Sequence, residues 1–477
     1  MSGVPAGWEA DEIGSFLAVH YGKALASGSR ASEGNIPVVG SSGKVGHHDK
    51  ALVDGPCLVV GRKGSAGAVH LIRESCWPID TAYFIQPPSE ISIDFLHYFL
   101  SSQPLGQLDK STAIPSLSRD DLYRVRVPVA PRAEQTRIVE KLESLLTDLD
   151  AGVSELKAAQ RKLVQYRQSL LKTAVEGALT ADWREANAPQ ETGAQLLARI
   201  LRERRARFEQ KHGLKKKYKE PAAPDTSQLP PLPEGWVWTT IDQCALDERS
   251  ITDGPFGSNL KTEHYTESGP LVIRLQNIGD GEFLDARAHI SEAHYEQLQK
   301  HAVHEGDLVV AMLGETLPRA CIVPLGIAPA IVKADCARIR PNTELVASEF
   351  FLAALNAEPT RKRTISLVKG IGRPRVNLAN IRAIAIPIPP FPEQHQILTQ
   401  LDTALTACQQ QQNAIAHALK QAAAQRRNLL RAAFSGQLVP QDPNDEPASA
   451  LLARICAKRA QKGKAVRKSR KQSGAPT

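Results

Sequence analysis

The chain repeats part of itself at long range. Val127-Pro128-Val129-Ala130-Pro131-Arg132-Ala133-Glu134-Gln135 returns as Ile386-Pro387-Ile388-Pro389-Pro390-Phe391-Pro392-Glu393-Gln394, an offset of 259 residues (393 − 134). From Glu134 to Leu179, 13 of 46 positions match their partners at that offset without a gap. Solenoid repeats recur every 20–50 residues or so, so this spacing means two copies of a larger unit. Two copies of one unit point to a pseudo-twofold object.

The unit extends in both directions. Pro5-Ala6-Gly7-Trp8 with Ile13 opens one copy and Pro233-Glu234-Gly235-Trp236 with Ile241 the other. Pro115-Ser116-Leu117 lines up with Pro374-Arg375-Val376, and Leu196-Leu197-Ala198-Arg199-Ile200 returns as Leu451-Leu452-Ala453-Arg454-Ile455. Each copy therefore runs globule, long helix, basic segment.

The helical stretches keep a heptad seam. Steps of 3 and 4 from Val139 give Leu142, Leu146, Leu149, Val153, Leu156, Gln160, Leu163, Arg167, Leu170 and Ala174; from Leu398 they give Leu401, Leu405, Cys408, Gln412, Ile415, Leu419, Ala422, Arg426, Leu429 and Ala433. A helix that only covers its own globule rarely sustains such a seam, so the pattern predicts two rods paired antiparallel. About 45 residues at 1.5 Å each make a rod of roughly 65–70 Å. Arg167 and Arg426 interrupt the seam at equivalent places, either as salt-bridge formers at its edge or as contacts to a further subunit.

Net charge is +8 with an isoelectric point near 9.0, which makes nucleic acid a plausible partner. The charge gathers in residues 199–219 and 454–471, which read either as solvated helix faces or as polyanion contacts, and the Ser/Gly/Pro end of the second run reads as a disordered tail. The seven cysteines include no Cys-x-x-Cys pair, as expected of reduced thiols in a cytoplasmic protein. No apolar run of about 18 residues and no leader pattern occur, so no membrane partner is expected. Gly61-Arg62-Lys63-Gly64-Ser65-Ala66-Gly67 lacks phosphate-loop spacing, and Ile388 stands where an amino-methyltransferase motif needs Asn or Asp. His47 and His48 are adjacent and lack a supporting carboxylate cluster, so no metal site is expected. No catalytic residue emerges.

Both globules read as α+β with mixed sheets: strands at 36–40, 57–61, 68–72 and 81–85 before a helix near 91–102, then strands at 271–275, 307–311, 320–323 and 336–339 before a helix near 347–356. Their framework is alike and their loops are not. The first carries a Gly-rich turn with Lys44 and His47, then Arg62 and Lys63; the second carries Arg274, Gln276 and Asn277, an insert from 279 to 304, Arg319, and Lys369, Arg373 and Arg375. Any one of these turns, taken alone, reads more simply as a surface loop. Arg, Gln and Asn are nevertheless the side chains that read guanine and adenine edges, and unlike loops on alike scaffolds suggest readers of different words. These eleven residues are the candidates for DNA contact, with Arg62, Lys63, Arg373 and Arg375 foremost.

The Pro-x-Gly-Trp openings, the doubled proline-strand Glu-Gln junctions and the Arg-x-x-Leu-Leu-x-x-Ala…Gly-x-Leu helix ends resemble the specificity subunit of type I restriction–modification systems, over nearly the whole chain. The resemblance implies target recognition domains at 1–131 and 233–390, spacer helices at 132–179 and 391–438, a basic helical linker at 180–232 and a basic C-terminal segment at 439–477. It implies that each domain reads half of a bipartite asymmetric site in double-stranded DNA, with the paired helices setting the spacer. It implies two methyltransferase subunits and restriction subunits as partners, which hold the S-adenosylmethionine, ATP and magnesium; this subunit has no cofactor and no catalysis of its own. The first junction departs from the second in having Arg132-Ala133 where the second has Phe391-Pro392. The alternatives are a specificity unit of a smaller methylase–nuclease system, or a non-catalytic coiled-coil scaffold, which would explain the rods but not the paired globules.

Overall fold

In the computed structural model, which describes residues 4–26, 28, 34–108, 115–213, 216–327, 329–368 and 374–472, the repeated Glu-Gln pair is buried and holds the same joint in both copies. Gln135 Oε1 accepts the Ser92 N–H (2.7 Å) while its Nε2 donates to Ala130 O (2.8 Å). Gln394 does the same with the Ala347 N–H (3.0 Å) and Pro389 O (3.2 Å). Ser92 and Ala347 are the N-cap residues of the helices Ile93–Ser102 and Ser348–Asn356. One side-chain amide thus ties the proline strand to the globule's main helix and satisfies groups that burial would otherwise orphan.

The preceding glutamates anchor the opening tryptophans. Trp8 Nε1 donates to Glu134 Oε2 (3.0 Å) and Trp236 Nε1 to Glu393 Oε2 (2.8 Å). Each tryptophan leaves a turn whose third residue has positive φ, Gly7 at 78° and Gly235 at 83°, which glycine adopts without steric penalty. Strand Glu9–Glu12 then pairs antiparallel with Arg126–Val129, and Val237–Thr240 with Ala385–Ile388, in matching register: Glu9↔Val129 and Val237↔Ile388.

Both globules are α+β with mixed sheets. In the first, strands His20–Tyr21, Ala82–Ile85, Cys57–Gly61 and Val69–Ile72 lie side by side in that order; the second repeats the order with Ile251–Asp253, Cys336–Ile339, Leu308–Ala311 and Arg319–Ile322. A parallel pairing occurs in a further sheet of each, Ile36–Gly40 with Trp77–Pro78 and Tyr265–Ile273 with Ala330–Val332. The Gly-rich turn expected around Lys44 is instead a strand, Gly43–His48, paired antiparallel with Ile36–Gly40. Its glycines and histidines carry no alternating apolar signal; the neighbouring strand supplies the order.

The long helices span Arg132–Val175 and Phe391–Phe434, 44 residues each, or about 66 Å. They pack together antiparallel, and the chain divides within them. One compact unit is Met1–Lys157 with Ile415–Thr477, the other Ala158–Ala414. In the first unit, Ile138, Leu142 and Leu146 share a core with Ala433, and Arg426 pairs with Asp150 (2.6 Å). In the second, Leu170, Leu171 and Ala174 share a core with Ile397, Leu401 and Cys408. Arg167, equivalent to Arg426, donates instead to Asp280 O of the second globule (2.9 Å).

Each helix ends against a Pro-x-Gly-Trp opening turn, the first helix at Pro233 and the second at Pro5. Gly177 and Gly436 have φ of 75° and 69°, and a Cβ on either would overlap Pro233 or Pro5 respectively. The basic segments dock on the same turns: the Gly193 N–H of helix Gly193–His212 donates to Gly235 O (2.6 Å), and the Ala448 N–H of helix Ala448–Gln472 donates to Gly7 O (2.9 Å). Part of their charge fastens the globules, since buried Arg204 holds Asp242 (3.2 Å) and Arg459 donates to Ser15 O (2.6 Å). The tail read as disordered, 473–477, lies outside the described residues. Among the described residues no helix is long and apolar enough to cross a membrane.

Candidate nucleic-acid interface

Both globules build the same corner where two loops cross beside the central sheet. In the first, Arg62 N–H donates to Thr81 O (2.9 Å), Gly64 N–H to Pro115 O (3.0 Å) and Leu117 N–H to Arg62 O (2.8 Å). In the second, Met312 N–H donates to Asp335 O (2.8 Å), Gly314 N–H to Pro374 O (3.1 Å) and Val376 N–H to Met312 O (2.9 Å). The isolated bridges Lys63↔Ser116 and Leu313↔Arg375 complete the match. Arg62 and Lys63 therefore occupy the places of Met312 and Leu313, and Arg375 the place of Ser116. The structure brings these three candidates to one kind of site, from opposite loops.

Each corner sets a guanidinium against an exposed aromatic ring. In the first globule the guanidinium centres of Arg62 and Arg119 lie 5.1 and 5.0 Å from the Tyr21 ring, and Arg62 Nη1 also donates to Asp80 O (3.1 Å). In the second, Arg375 lies 5.6 Å from the Phe256 ring and pairs with Asp335 (2.8 Å). Tyr21 and Phe256 are each 47% exposed. Asp335 is the one non-glycine residue with positive φ (71°) among the described residues, a conformation that costs energy and recurs at functional positions. Lys63 is exposed.

Sequence reading missed Tyr21, Arg119, Phe256 and Asp335. Nothing local marks them. Tyr21 reaches the corner because its two-residue strand pairs with Ala82–Ile85, and Phe256 because it follows the equivalent strand Ile251–Asp253.

Other candidates are placed differently. Asn277 is fully buried: its Oδ1 accepts the Arg274 N–H (2.9 Å) and its Nδ2 donates to Leu284 O (3.0 Å) and Ala286 O (2.9 Å). Every polar edge of that amide is taken by its own loop, which it staples. Arg274 bends back onto Ala286 O (3.2 Å), and half-buried Arg319 reaches Leu275 O (3.4 Å). Gln276, between them, is exposed. Lys44, on its strand, pairs with Glu74 (2.7 Å), and that hydrogen bond holds the Glu74 carboxyl below the usual carboxylate range. His47 is exposed on the same strand. Lys369 and Arg373 lie outside the described residues.

The sequence profile of the type I restriction modification DNA specificity domain matches residues 5–158 and 280–421. The type I restriction enzyme EcoDI specificity subunit of Escherichia coli is 23% identical over 98% of this chain and 99% of its own length. The EcoBI specificity subunit of Escherichia coli is 26% identical over 75% of this chain and 70% of its own. Among solved structures, a chain from a study of complex assembly and conformational transition of the type I R-M system superposes with a TM-score of 0.59 at 14% identity, covering 92% of this chain and all of that one.

Proposed function

The chain belongs to the type I restriction modification DNA specificity family, and from that membership we propose that it is the DNA-reading subunit of such a system. Each globule recognises one half of a bipartite asymmetric site in double-stranded DNA. Methyl transfer to adenine and cleavage are the work of partner subunits, two for modification together with those for restriction. S-adenosylmethionine, ATP and magnesium are theirs, and the complex acts in the cytoplasm, where the DNA lies.

The observation that carries this reading is the contrast between frame and corner. Both globules are held by the same Trp–Glu bond, the same Gln staple and the same loop-crossing bonds, whereas the guanidinium and aromatic groups of the two corners stand at non-equivalent positions of that frame, Arg62 where the second globule has Met312 and Arg375 where the first has Ser116. A scaffold protein has no need of unlike corners on matching frames.

The chemistry of each corner suits DNA in its own way. Arg62 and Arg119, drawn together by the Tyr21 ring face, put two permanent positive charges beside an exposed aromatic, suited to phosphates and to an exposed base edge or methyl group. Arg375 with Asp335 offers a fork of donors next to an acceptor, the combination that separates G·C from A·T in the major groove. The paired helices, built from both copies, set the unread spacer.

Exchanging residues 1–128 for the equivalent globule of another such subunit tests the reading. Mapping methylated adenines in cells with the partner subunits should show one half-site replaced and the other half and spacer unchanged. A motif in which both halves change together would overturn it.

A further inference from the structure

The second globule contains a cleft away from the loop-crossing corner that no part of the proposed function uses. It has a volume of about 770 Å³ and is lined by Arg249, Lys300, Arg338 and Arg340 against Asp247 and Glu248. The size falls within the several-hundred-Å³ range of small-molecule sites.

Its charges do not balance. Asp307 takes Arg340 in two bonds of 2.7 and 2.6 Å. Lys211, on the basic helix, lies 3.8 Å from Asp247 and 3.5 Å from Glu248, and His212 lies 3.2 Å from Glu248. Counting Lys211 and Asp307 with the lining residues, five permanent cations face three carboxylates. The surplus centres on Arg338, which is only 6% exposed. Its guanidinium donates to Ala302 O (2.6 Å) and Arg249 O, and its buried Nε–H has no acceptor among the described residues. Among the described residues no carboxylate comes within ion-pair distance of it. A buried charge left this way is unfavourable unless an anion compensates it.

The fold does not require this arginine. In the matched sheets, Val59 pairs with Phe84 where Val309 pairs with Arg338. Two residues on, Gln86 stands where the second globule has Arg340. An aromatic side chain fills the position in one copy of the frame, and a buried cation fills it in the other.

We propose that this cleft is a phosphate-binding site, in which Arg338, Lys300 and Arg249 hold a phosphate group either of the DNA backbone or of a free, nucleotide-sized anion. Arg338 supplies the fixed charge at the cleft wall. Lys300 and Arg249, on the exposed rim, reach the remaining oxygens. The charge surplus stands whether or not the globule reads DNA; only the DNA arm of the following test depends on that reading.

The test uses the purified full chain as wild type, Arg338→Met, Lys300→Gln and Arg249→Gln. Thermal unfolding is followed in inorganic phosphate against sodium chloride at equal ionic strength. DNA affinity for a duplex carrying the methylated motif is followed against salt. A free-anion site predicts a saturable rise of the unfolding midpoint in phosphate, with apparent affinity weakened about fivefold or more in each variant. A backbone-phosphate site predicts a salt slope smaller by about one per lost contact, with an unchanged methylation motif. If Arg338→Met does not fold, the two exposed variants carry both arms. Equal phosphate protection in wild type and variants, or no effect in either arm, would overturn the proposal.

Discussion

Trp8 donates its indole N–H to Glu134 across 126 residues of chain, at 3.0 Å, and the other carboxylate oxygen, Oε1, is buried with no partner among the described residues. The second copy completes what the first leaves open. Glu393 takes the Trp236 indole and also the Thr180 hydroxyl (2.8 Å) and the Arg184 guanidinium (2.8 Å). One joint thus holds a buried ion pair and the other a buried carboxyl whose pKa burial pushes up.

The two glutamates should therefore answer differently to the same change. Glu134 has a folded pKa above its unfolded value, so the folded state binds the proton more tightly. Its contribution is fully favourable below the unfolded pKa and is lost as pH rises through the raised folded one. Glu134→Gln keeps an acceptor for Trp8 and removes that loss, so stability near neutral pH should hold or rise. Glu393→Gln strands Arg184 and should cost about 3 kcal/mol, the low end for breaking a buried pair. Urea unfolding between pH 5 and 8 reads both; equal losses in the two variants would contradict the asymmetry.

The helix-end glycines offer a second paired comparison. Gly177→Ala and Gly436→Ala force a Cβ into positive φ and against Pro233 or Pro5, which should cost about 1–3 kcal/mol each. Gly152, in the middle of the first long helix, has open space where a Cβ would stand, with no atom of the described residues within 4 Å. Gly152→Ala should therefore stabilise by up to about 1 kcal/mol. Chemical denaturation midpoints at fixed slope separate the three.

Asn277 and Gln276 should separate stability from recognition. Asn277→Ala orphans buried loop groups and should cost about 1–3 kcal/mol with the methylated motif intact. Gln276→Ala, at an exposed side chain, should leave the unfolding midpoint unchanged. A changed motif in folded Asn277→Ala would place that residue among the readers.

At the corners, Arg62→Ala or Arg119→Ala should weaken DNA binding and flatten its salt dependence by about one phosphate contact if the charge meets the backbone. Arg375→Ala should relax one position of the second half-site and cost about 1–3 kcal/mol in binding. Tyr21→Leu keeps the apolar bulk but removes the ring that gathers two guanidiniums. It should reproduce part of both arginine losses. Unchanged affinity at every salt concentration in all four variants would make the corners ordinary surface turns.

The repeat, the rods and about half of the strands were legible in the chain because they rest on local rules. Heptad spacing dictates which helix face must be buried, proline and glycine dictate where a helix starts and stops, and a 259-residue echo of Glu-Gln signals two equivalent joints. What Glu134 and Gln135 hold was not legible, since Trp8 and Ser92 are 126 and 43 residues away. The Gly43–His48 strand was hidden for the same reason: its order comes from a neighbour and not from its own pattern. Asn277 looked like a reader because its side-chain chemistry is the same whether its edges face solvent or its own loop. Only packing decides which, and burial turned it into a staple. Tyr21, Arg119, Phe256 and Asp335 form their corners by sheet order and loop crossing, and Arg338 is a charge in need of a partner only because the sheet encloses it. Sequence carries the chemistry of a side chain; tertiary structure alone decides which of its polar edges are still free to bind.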